Sequence, residues 1–316
     1  MKIKLIKNRS DIGAGTRGAD MGIDAMEIAA INQGNDFFNR FPHEDLETSN
    51  ESIYDKVNNS FAKRIGHVVE QCGRVSEAVS RVIGKGAFPL VLSGDHSSAL
   101  GTISGIKAAN PDKRLGVIWI DAHADLHSPY TSPSGNIHGM PLGAAIGDDN
   151  RDCQVNQVTE GTLKLWNALK NTGVEGAKVK PEDIVFFGVR DTEMPEDKQI
   201  EKYGIKNYMV AEVRHRTVET CVNEALERIG DCDWIYISFD VDSLDCDLIS
   251  YGTGTPVAKG FDQYEVIAII NQLLGSNKIA CLEFVEVNPL LDNKGNKMAE
   301  TAFEVLGRLD LPSNKI

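Results

Sequence analysis

Leu115-Gly-Val-Ile-Trp-Ile-Asp-Ala-His-Ala-Asp-Leu-His-Ser-Pro-Tyr-Thr-Ser-Pro-Ser-Gly-Asn-Ile-His138 begins with six apolar residues and then turns abruptly to side chains of metal-ligand type. The run Leu115 to Ile120 has no polar alternation, which predicts a short strand buried on both faces, as in a parallel sheet. In an extended chain successive side chains point to opposite sides, so Asp121, His123 and Asp125 would project together from the end of that strand.

Two other segments repeat the design. Trp234-Ile-Tyr-Ile-Ser-Phe239 is an apolar run of strong strand propensity, followed by Asp240 and Asp242. Phe88-Pro-Leu-Val-Leu92 runs into Ser93-Gly-Asp-His-Ser97, placing Asp95 and His96 after a glycine turn. In an open parallel sheet, the carboxyl ends of the strands are where sites form. A single Asp or His in such a place is usually a helix cap or a turn residue. Asp121, Asp125, Asp240 and Asp242 with His96 and His123, four aspartates and two histidines at three strand ends, are harder to assign that way, because unpaired charges facing one crevice repel unless cations neutralise them. Imidazole mixed with carboxylate suits Mn, Co or Zn better than Ca or Mg, and aspartates placed to bridge favour two ions sharing a hydroxide.

Strand and helix patterns alternate along the rest of the chain. Residues 2 to 6 alternate Lys and aliphatic, as a first strand would. Helical spacing of apolar residues predicts helices over Phe61 to Ile83, Ser97 to Ala109, Met140 to Ile146, Val158 to Lys170, Val218 to Ile229, Phe261 to Leu274 and Lys297 to Leu309. Pro181 to Val189 and Ile279 to Val285 read as further buried strands, and His43 to Asn59 as a charged, exposed region. The alternation implies an α/β fold of three αβα layers around a mostly parallel central sheet. Gly13, Gly15 and Gly18 make a formal G-x-G-x-x-G. A dinucleotide fingerprint follows its strand directly and is answered by an acidic residue about twenty positions on. Here Lys7 to Ile12 intervene and that second strand is missing, so no nicotinamide cofactor is expected. His43 and His67 stand apart from other ligand types and are assigned to the surface or to helix packing.

The chain of 316 residues carries no linker or low-complexity stretch, so one domain over 1–316 is expected, and 41% hydrophobic residues supply an ample core. With 46 acidic against 33 basic side chains the net charge is −13, which argues against nucleic acid, whose binding rests on Lys and Arg neutralising phosphates. Cys72, Cys153, Cys221, Cys232, Cys246 and Cys281 include no C-x-x-C pair and read as reduced, mostly buried thiols. No apolar run approaches the roughly 18 residues of a membrane span, and Met1 to Lys7 lacks the long apolar region of a signal peptide, so no membrane contact is expected and the cytoplasm is the default.

Six motifs together resemble the ureohydrolases, and within them the arginases: Gly94-Asp-His-Ser97, Asp121-Ala-His-Ala-Asp125, Ser134-Gly-Asn-Ile-His-Gly139, Ser238-Phe-Asp-Val-Asp242, Gly252-Thr-Gly-Thr-Pro256 and Glu286-Val-Asn-Pro289. They occur in the family's order, and the Ser-Gly-Asn loop points to arginase rather than its relatives. The resemblance implies an arginase/deacetylase-like sheet and two divalent ions, Mn2+ first, with Co2+ or Fe2+ also accepted. One ion would be held by His96, Asp121, Asp125 and Asp240, and the other by His123, Asp121, Asp240 and Asp242. The implied reaction is attack of a metal-bridging hydroxide on the guanidinium of L-arginine, releasing L-ornithine and urea. Glu286 would pair with the guanidinium, His138 would shuttle protons, and Asp125 counts among the catalytic residues as well as the ligands. Ser134 and Asn136 match contacts to the α-carboxylate, with Ser132 assisting; Glu193 and Glu196 would face the α-ammonium, and Thr255 the guanidinium end.

The sequence also departs from the family. His127 stands where arginases usually have Asn, Glu193 where animal enzymes have Asp, and Ser93 where Gly is usual. Ser243 and the Cys246-Asp247 pair alter the loop after the second ligand cluster. His127 is counted with the substrate contacts. The alternative activity is another ureohydrolase, acting on agmatine, guanidinobutyrate or a formimino compound. A non-catalytic binding protein would require a lost ligand, and all six are present. The resemblance further implies a homo-oligomer, a trimer or a hexamer, working on a small guanidino substrate.

Overall fold

A computed structural model describes residues 2–312; Met1 and 313–316, the extreme ends of the expected domain, lie outside the described residues. Eight strands form one sheet: β1 (Lys2–Asn8), β2 (His43–Asp45), β3 (Ala87–Ser93), β4 (Leu115–Ile120), β5 (Ile184–Phe187), β6 (Lys206–Tyr208), β7 (Trp234–Asp240) and β8 (Ile279–Val285). Their order across the sheet is β2-β1-β3-β8-β7-β4-β5-β6, and every pairing is parallel. The helices are α1 (Gly22–Asn32), α2 (Phe37–Arg40), α3 (Ile65–Gly84), α4 (Ala99–Ala109), α5 (Pro141–Ile146), α6 (Glu160–Lys170), α7 (Met194–Tyr203), α8 (Val210–Arg216), α9 (Val218–Arg228), α10 (Gln263–Leu274) and α11 (Lys297–Gly307).

The sheet divides the core in two because alternate strand residues face opposite helical layers. Ile118, Ile120, Ile235, Ile237 and Phe239 pack with α1, α9, α10 and α11, while Val117, Trp119, Tyr236 and Phe186 pack with α3, α4, α5 and α6. Both faces being covered is why these strands read as unbroken apolar runs. Helix ends are fixed locally: Asp262 caps α10 by accepting from the Glu265 N–H at 2.8 Å, and Glu265 returns the bond to the Asp262 N–H at 2.8 Å. Thr159 caps α6 through the Thr162 N–H at 3.2 Å.

The central strands and the three-layer arrangement around a parallel sheet agree with the sequence reading. Differences have local causes. α3 starts at Ile65 rather than Phe61, because Arg64 adopts φ 56° and the Lys63 N–H bonds across to the Gly135 carbonyl at 2.8 Å. The helix after β3 begins at Ala99, following a single 3-10 turn over His96–Ser98. The strand expected over Pro181 to Val189 is confined to β5, since Pro181–Asp183 form a 3-10 turn and Gly188 turns with φ 90°. α7, β6 and α8 were not anticipated: α7 is largely polar, and β6 has three residues, too few for a period to show. His43 lies exposed on edge strand β2 and His67 half-exposed on α3.

Candidate metal centre

β3, β4, β7 and β8 are neighbours in the middle of the sheet, and their carboxyl ends open on one cavity of about 240 Å³. β4 sits three places from β3 although it follows it in the chain, with β8 and β7 inserted between them, so this is where the strand order reverses. Gly94 allows the turn out of β3: a Cβ there would meet the Ser10 carbonyl oxygen at 2.2 Å. The turn delivers His96, whose buried ring stacks on Trp119 of β4 with centroids 4.1 Å apart and planes within 5°.

His96 Nδ1 faces three carboxylate oxygens at once: Asp121 Oδ2 at 3.0 Å, Asp125 Oδ2 at 3.1 Å and Asp240 Oδ2 at 3.1 Å. Its Nε2 meets Ser238 Oγ at 2.7 Å. A second group adjoins the first through Asp121. His123 Nδ1 lies 2.9 Å from Asp242 Oδ2 and 3.6 Å from Asp121 Oδ1. The remaining oxygens are tied to backbone: the Asp121 carboxylate accepts from the His123 N–H at 2.6 Å, Asp240 from the Asp242 N–H at 2.8 Å, and Asp242 from the Ala122 N–H at 3.0 Å.

The chain does not reach this geometry by staying extended past Ile120, as the alternation of Asp121, His123 and Asp125 supposed. It leaves the strand at Asp121, and Asp125 sits in the left-handed region with φ 51°, its carbonyl accepting from the Leu142 N–H at 3.1 Å. That turn swings the Asp125 carboxylate back towards His96, which alternation alone would not do.

The donor set fits divalent cations. His96 Nδ1 and Asp121 Oδ2 are buried and 3.0 Å apart, yet neither has a hydrogen bond of acceptable geometry. Atoms so aimed share a point between them rather than each other, which is what a cation requires. The protonation preferences agree. Burial pushes the Asp240, Asp125 and Asp242 carboxyls up, and the neighbouring aspartates push them further. Burial pulls the His96 imidazole down, but Asp121, Asp125 and Asp240 outweigh it and hold it well above its usual value. Protons here stand in for missing positive charge.

Glu286 follows β8 with φ 67° and is buried; its N–H donates to the Gly94 carbonyl at 2.7 Å and its Oε1 accepts from the His96 N–H at 2.9 Å. The same oxygen lies 3.2 Å from His138 Nδ1. Burial lowers the His138 pKa, but Glu286 more than offsets this and raises it. The glycine-rich loop forms the wall behind His138. Gly13 O accepts from the Ile137 N–H at 2.9 Å and the His138 N–H at 3.2 Å, while the Gly13 N–H donates to Asp95 Oδ2 at 2.9 Å. A Cβ on Gly13 would meet Ser97 Oγ at 2.4 Å, so this loop is packed against the ligand turn and forms no phosphate cradle.

His96, His123, Asp125 and Asp240 line the cavity, and so do His138, His127, Ser132, Ser134, Asn136, Glu193, Glu196 and Thr255. Asp121, Asp242 and Glu286 lie buried behind that surface. Thr255 Oγ1 donates to Asp242 Oδ2 at 3.1 Å, Ser132 Oγ accepts from the Gly135 N–H at 2.9 Å, and Ser134 Oγ from the Asn136 N–H at 3.1 Å. Asn136 Oδ1 accepts from Lys63 Nζ at 3.2 Å. His127 Nε2 is 2.7 Å from Glu193 Oε2, and Glu196 is buried at the start of α7. Of the substituted positions, Ser93 donates to Glu283 Oε1 at 2.7 Å and Ser243 to the Asp240 carbonyl at 2.6 Å.

Sequence reasoning missed several groups around the candidate ligands: Trp119 and Ser238 against His96, Lys63 on Asn136, and Asp191, whose Oδ2 is 3.7 Å from His123 Nε2. Trp119 and Ser238 could have been suspected only as a bulky and a polar residue inside otherwise aliphatic strands.

Comparison with known proteins agrees with this geometry. The Arginase family model matches residues 2–310. The arginase of Bacillus caldovelox is 36% identical over 314 residues, 97% of each chain, and that of Bacillus subtilis strain 168 is 35% identical over 309 residues, also 97% of each. A crystal structure of the Bacillus subtilis arginase superposes with a TM-score of 0.82 at 34% identity over 100% of both chains. The chain belongs to the arginase family.

Proposed function

We propose that this protein is a single-domain hydrolase of the guanidino C–N bond that converts L-arginine to L-ornithine and urea at a centre of two divalent cations. The observation that carries the reading is His96 Nδ1, buried and unpartnered among three carboxylate oxygens at 3.0–3.1 Å, with the His123–Asp242 pair adjoining it through Asp121. His96, Asp121, Asp125 and Asp240 would hold one ion, and His123, Asp121, Asp240 and Asp242 the other. Mn2+ is the first choice, with Co2+ or Fe2+ compatible, because imidazole beside carboxylate disfavours Mg2+ and Ca2+. When bound, the ions supply positive charge that makes water acidic enough to furnish a nucleophile near neutral pH.

The chain's own residues do the rest. Glu286, buried and ionised, offers its carboxylate to the planar guanidinium, which presents paired N–H donors. His138, kept protonated by Glu286, donates its proton to the departing amine and recovers one from solvent at the cavity mouth. Ser134 and Asn136, assisted by Ser132, receive the α-carboxylate, while Thr255 steadies Asp242 next to the guanidinium end. Residues of the 127–136 loop and of the start of α7 line the cavity that would receive the substrate.

Among the described residues no helix is long and apolar enough to cross a membrane, and the six cysteines are free and buried, in keeping with a reducing cytoplasm. The resemblance supports a trimer or hexamer, which sedimentation would test. The activity is tested by urea release from L-arginine and agmatine after loading with Mn2+ and separately Co2+. A preference for arginine of about tenfold or more in kcat/KM is expected, since buried donors built for a carboxylate go unpaired on agmatine. Equal use of agmatine would reject the arginase reading.

A further inference from the structure

At the cavity rim His127, Glu193 and Glu196 bring ligand atoms within 4.8 Å of one another, like a third metal group. Their valences are already taken. Glu196 Oε1 accepts from the Leu126 N–H and Oε2 from the Glu193 N–H, each at 3.1 Å. The imidazole of His127 has a partner on each nitrogen: Thr131 Oγ1 lies 3.0 Å from Nδ1, and Glu193 Oε2 2.7 Å from Nε2.

The partners fix where the ring carries a proton. Thr131 Oγ1 accepts from the Ser128 N–H at 3.1 Å, and the Ser128 carbonyl lies 3.5 Å from it. Glu193 Oε2 is a carboxylate oxygen and only accepts, so His127 Nε2 carries a proton and donates it to Glu193. The ring is 7% exposed and cannot swing aside, so the bond to Glu193 belongs to the resting site.

The two ends of the amino-acid pocket thus differ in charge. Besides the ligand residues and His138's partner, its acids are Asp191, Glu193 and Glu196; Glu193 faces His127 and Glu196 two backbone N–H groups, while Asp191 is exposed at the rim, 3.7 Å from His123 Nε2. At the other end Lys63 Nζ takes the Asn136 amide oxygen, leaving Nδ2 and a nearby cation for a carboxylate. A substrate carboxylate meets unused donors; a substrate ammonium meets, in Glu193 and Glu196, carboxylate oxygens that already accept internal hydrogen bonds.

We propose that His127 is a specificity-determining residue that withdraws Glu193 from the α-ammonium, so that the site selects ω-guanidino acids by their carboxylate. It then accepts 5-guanidinopentanoate, arginine without its α-amino group, almost as well as L-arginine. This rests on the guanidino-hydrolase reading above.

The test measures kcat/KM for both compounds on the Mn2+-loaded full chain and on His127→Asn, which releases Glu193. The expected ratio of L-arginine to 5-guanidinopentanoate is below about tenfold in the parent and rises about fivefold or more in the variant, through KM for arginine. Thr131→Val, which removes the hydroxyl that holds the ring at Nδ1, moves the ratio in the same direction and serves if His127→Asn does not fold. Calorimetry with L-ornithine and 5-aminopentanoate reads the discrimination without turnover and should also show less than about tenfold. A parent ratio above about 100, or a ratio unmoved by either substitution, overturns this proposal while leaving arginine hydrolysis intact. No urea from either acid, with no binding of either amine, overturns the underlying reading as well.

Discussion

Asp240→Asn separates a metal centre from a mere cluster of acids, because the two predict opposite effects on stability with and without metal. Asp240 Oδ2 is one of the three oxygens around His96 Nδ1, its other oxygen anchors the Asp242 N–H, and it would touch both ions. In the metal-free protein its carboxyl is crowded: burial raises its pKa and Asp242 and Asp121 raise it further. A folded-state pKa above the unfolded value means that the folded form binds the extra proton, so stability falls as pH rises past the ordinary carboxyl range. His96 and His123, whose values are also raised, lose their contribution in the same direction. Metal-free parent should therefore melt lower at pH 8 than at pH 6, and Asp240→Asn, relieved of one charge, should melt at the same temperature or higher at pH 8. With metal the order inverts. Two ions at a free concentration about 100 times their Kd add roughly 2.7 kcal/mol each, which at about 2 °C per kcal/mol is a rise of about 10 °C. A variant binding each ion about tenfold more weakly keeps roughly half of that rise, and turnover falls by about 10² or more. Differential scanning calorimetry at both pH values, with metal analysis after dialysis, decides the matter. An equal metal-induced rise in parent and variant, with two equivalents retained, would refute the bridging role. A metal-free variant several degrees less stable than the metal-free parent would refute the crowding.

His138→Ala should fold and keep both ions but lose about 10² in turnover, partly restored by added imidazole; a rate equal to the parent's would discard the proton carrier. Glu286→Gln removes the partner that raises the His138 pKa, so the alkaline fall in kcat, where the protonated imidazole is lost, should move to lower pH. A pH profile of residual turnover reads this directly, and an unmoved limb would uncouple the pair. Gly94→Ala places a Cβ 2.2 Å from the Ser10 carbonyl and should cost about 1–3 kcal/mol in stability with weakened metal binding, seen as a lower denaturation midpoint.

Residue order alone carried a good deal of this. Parallel strands covered on both faces must be apolar throughout, so β3, β4 and β7 announced themselves, and the burst of Asp and His after each marked their carboxyl ends. Liganding side chains have few substitutes, so their types and spacing persist as motifs that can be read linearly. Folding decided what depends on atoms far apart in the chain. That Asp125 takes φ 51° and turns back to His96, and that Glu286 takes φ 67° beneath His96 and His138, follow from hydrogen bonds to Leu142 and Gly94 that no local pattern encodes. The spacing around the glycine-rich loop already spoke against a nucleotide motif, but its packing, with Asp95 and Ser97 against Gly13, is visible only in the fold. The polar helix α7 escaped notice because its helix-start signal, Glu193 to Glu196, is the same pair of acids that faces the cavity. His127 was a single unusual letter in the chain; only the packed loop, with Thr131 on one side of the ring and Glu193 on the other, decides which nitrogen carries its proton and which acid it occupies. Local chemistry is written in residue types, whereas the direction of a buried polar group is set by whichever distant partner satisfies it.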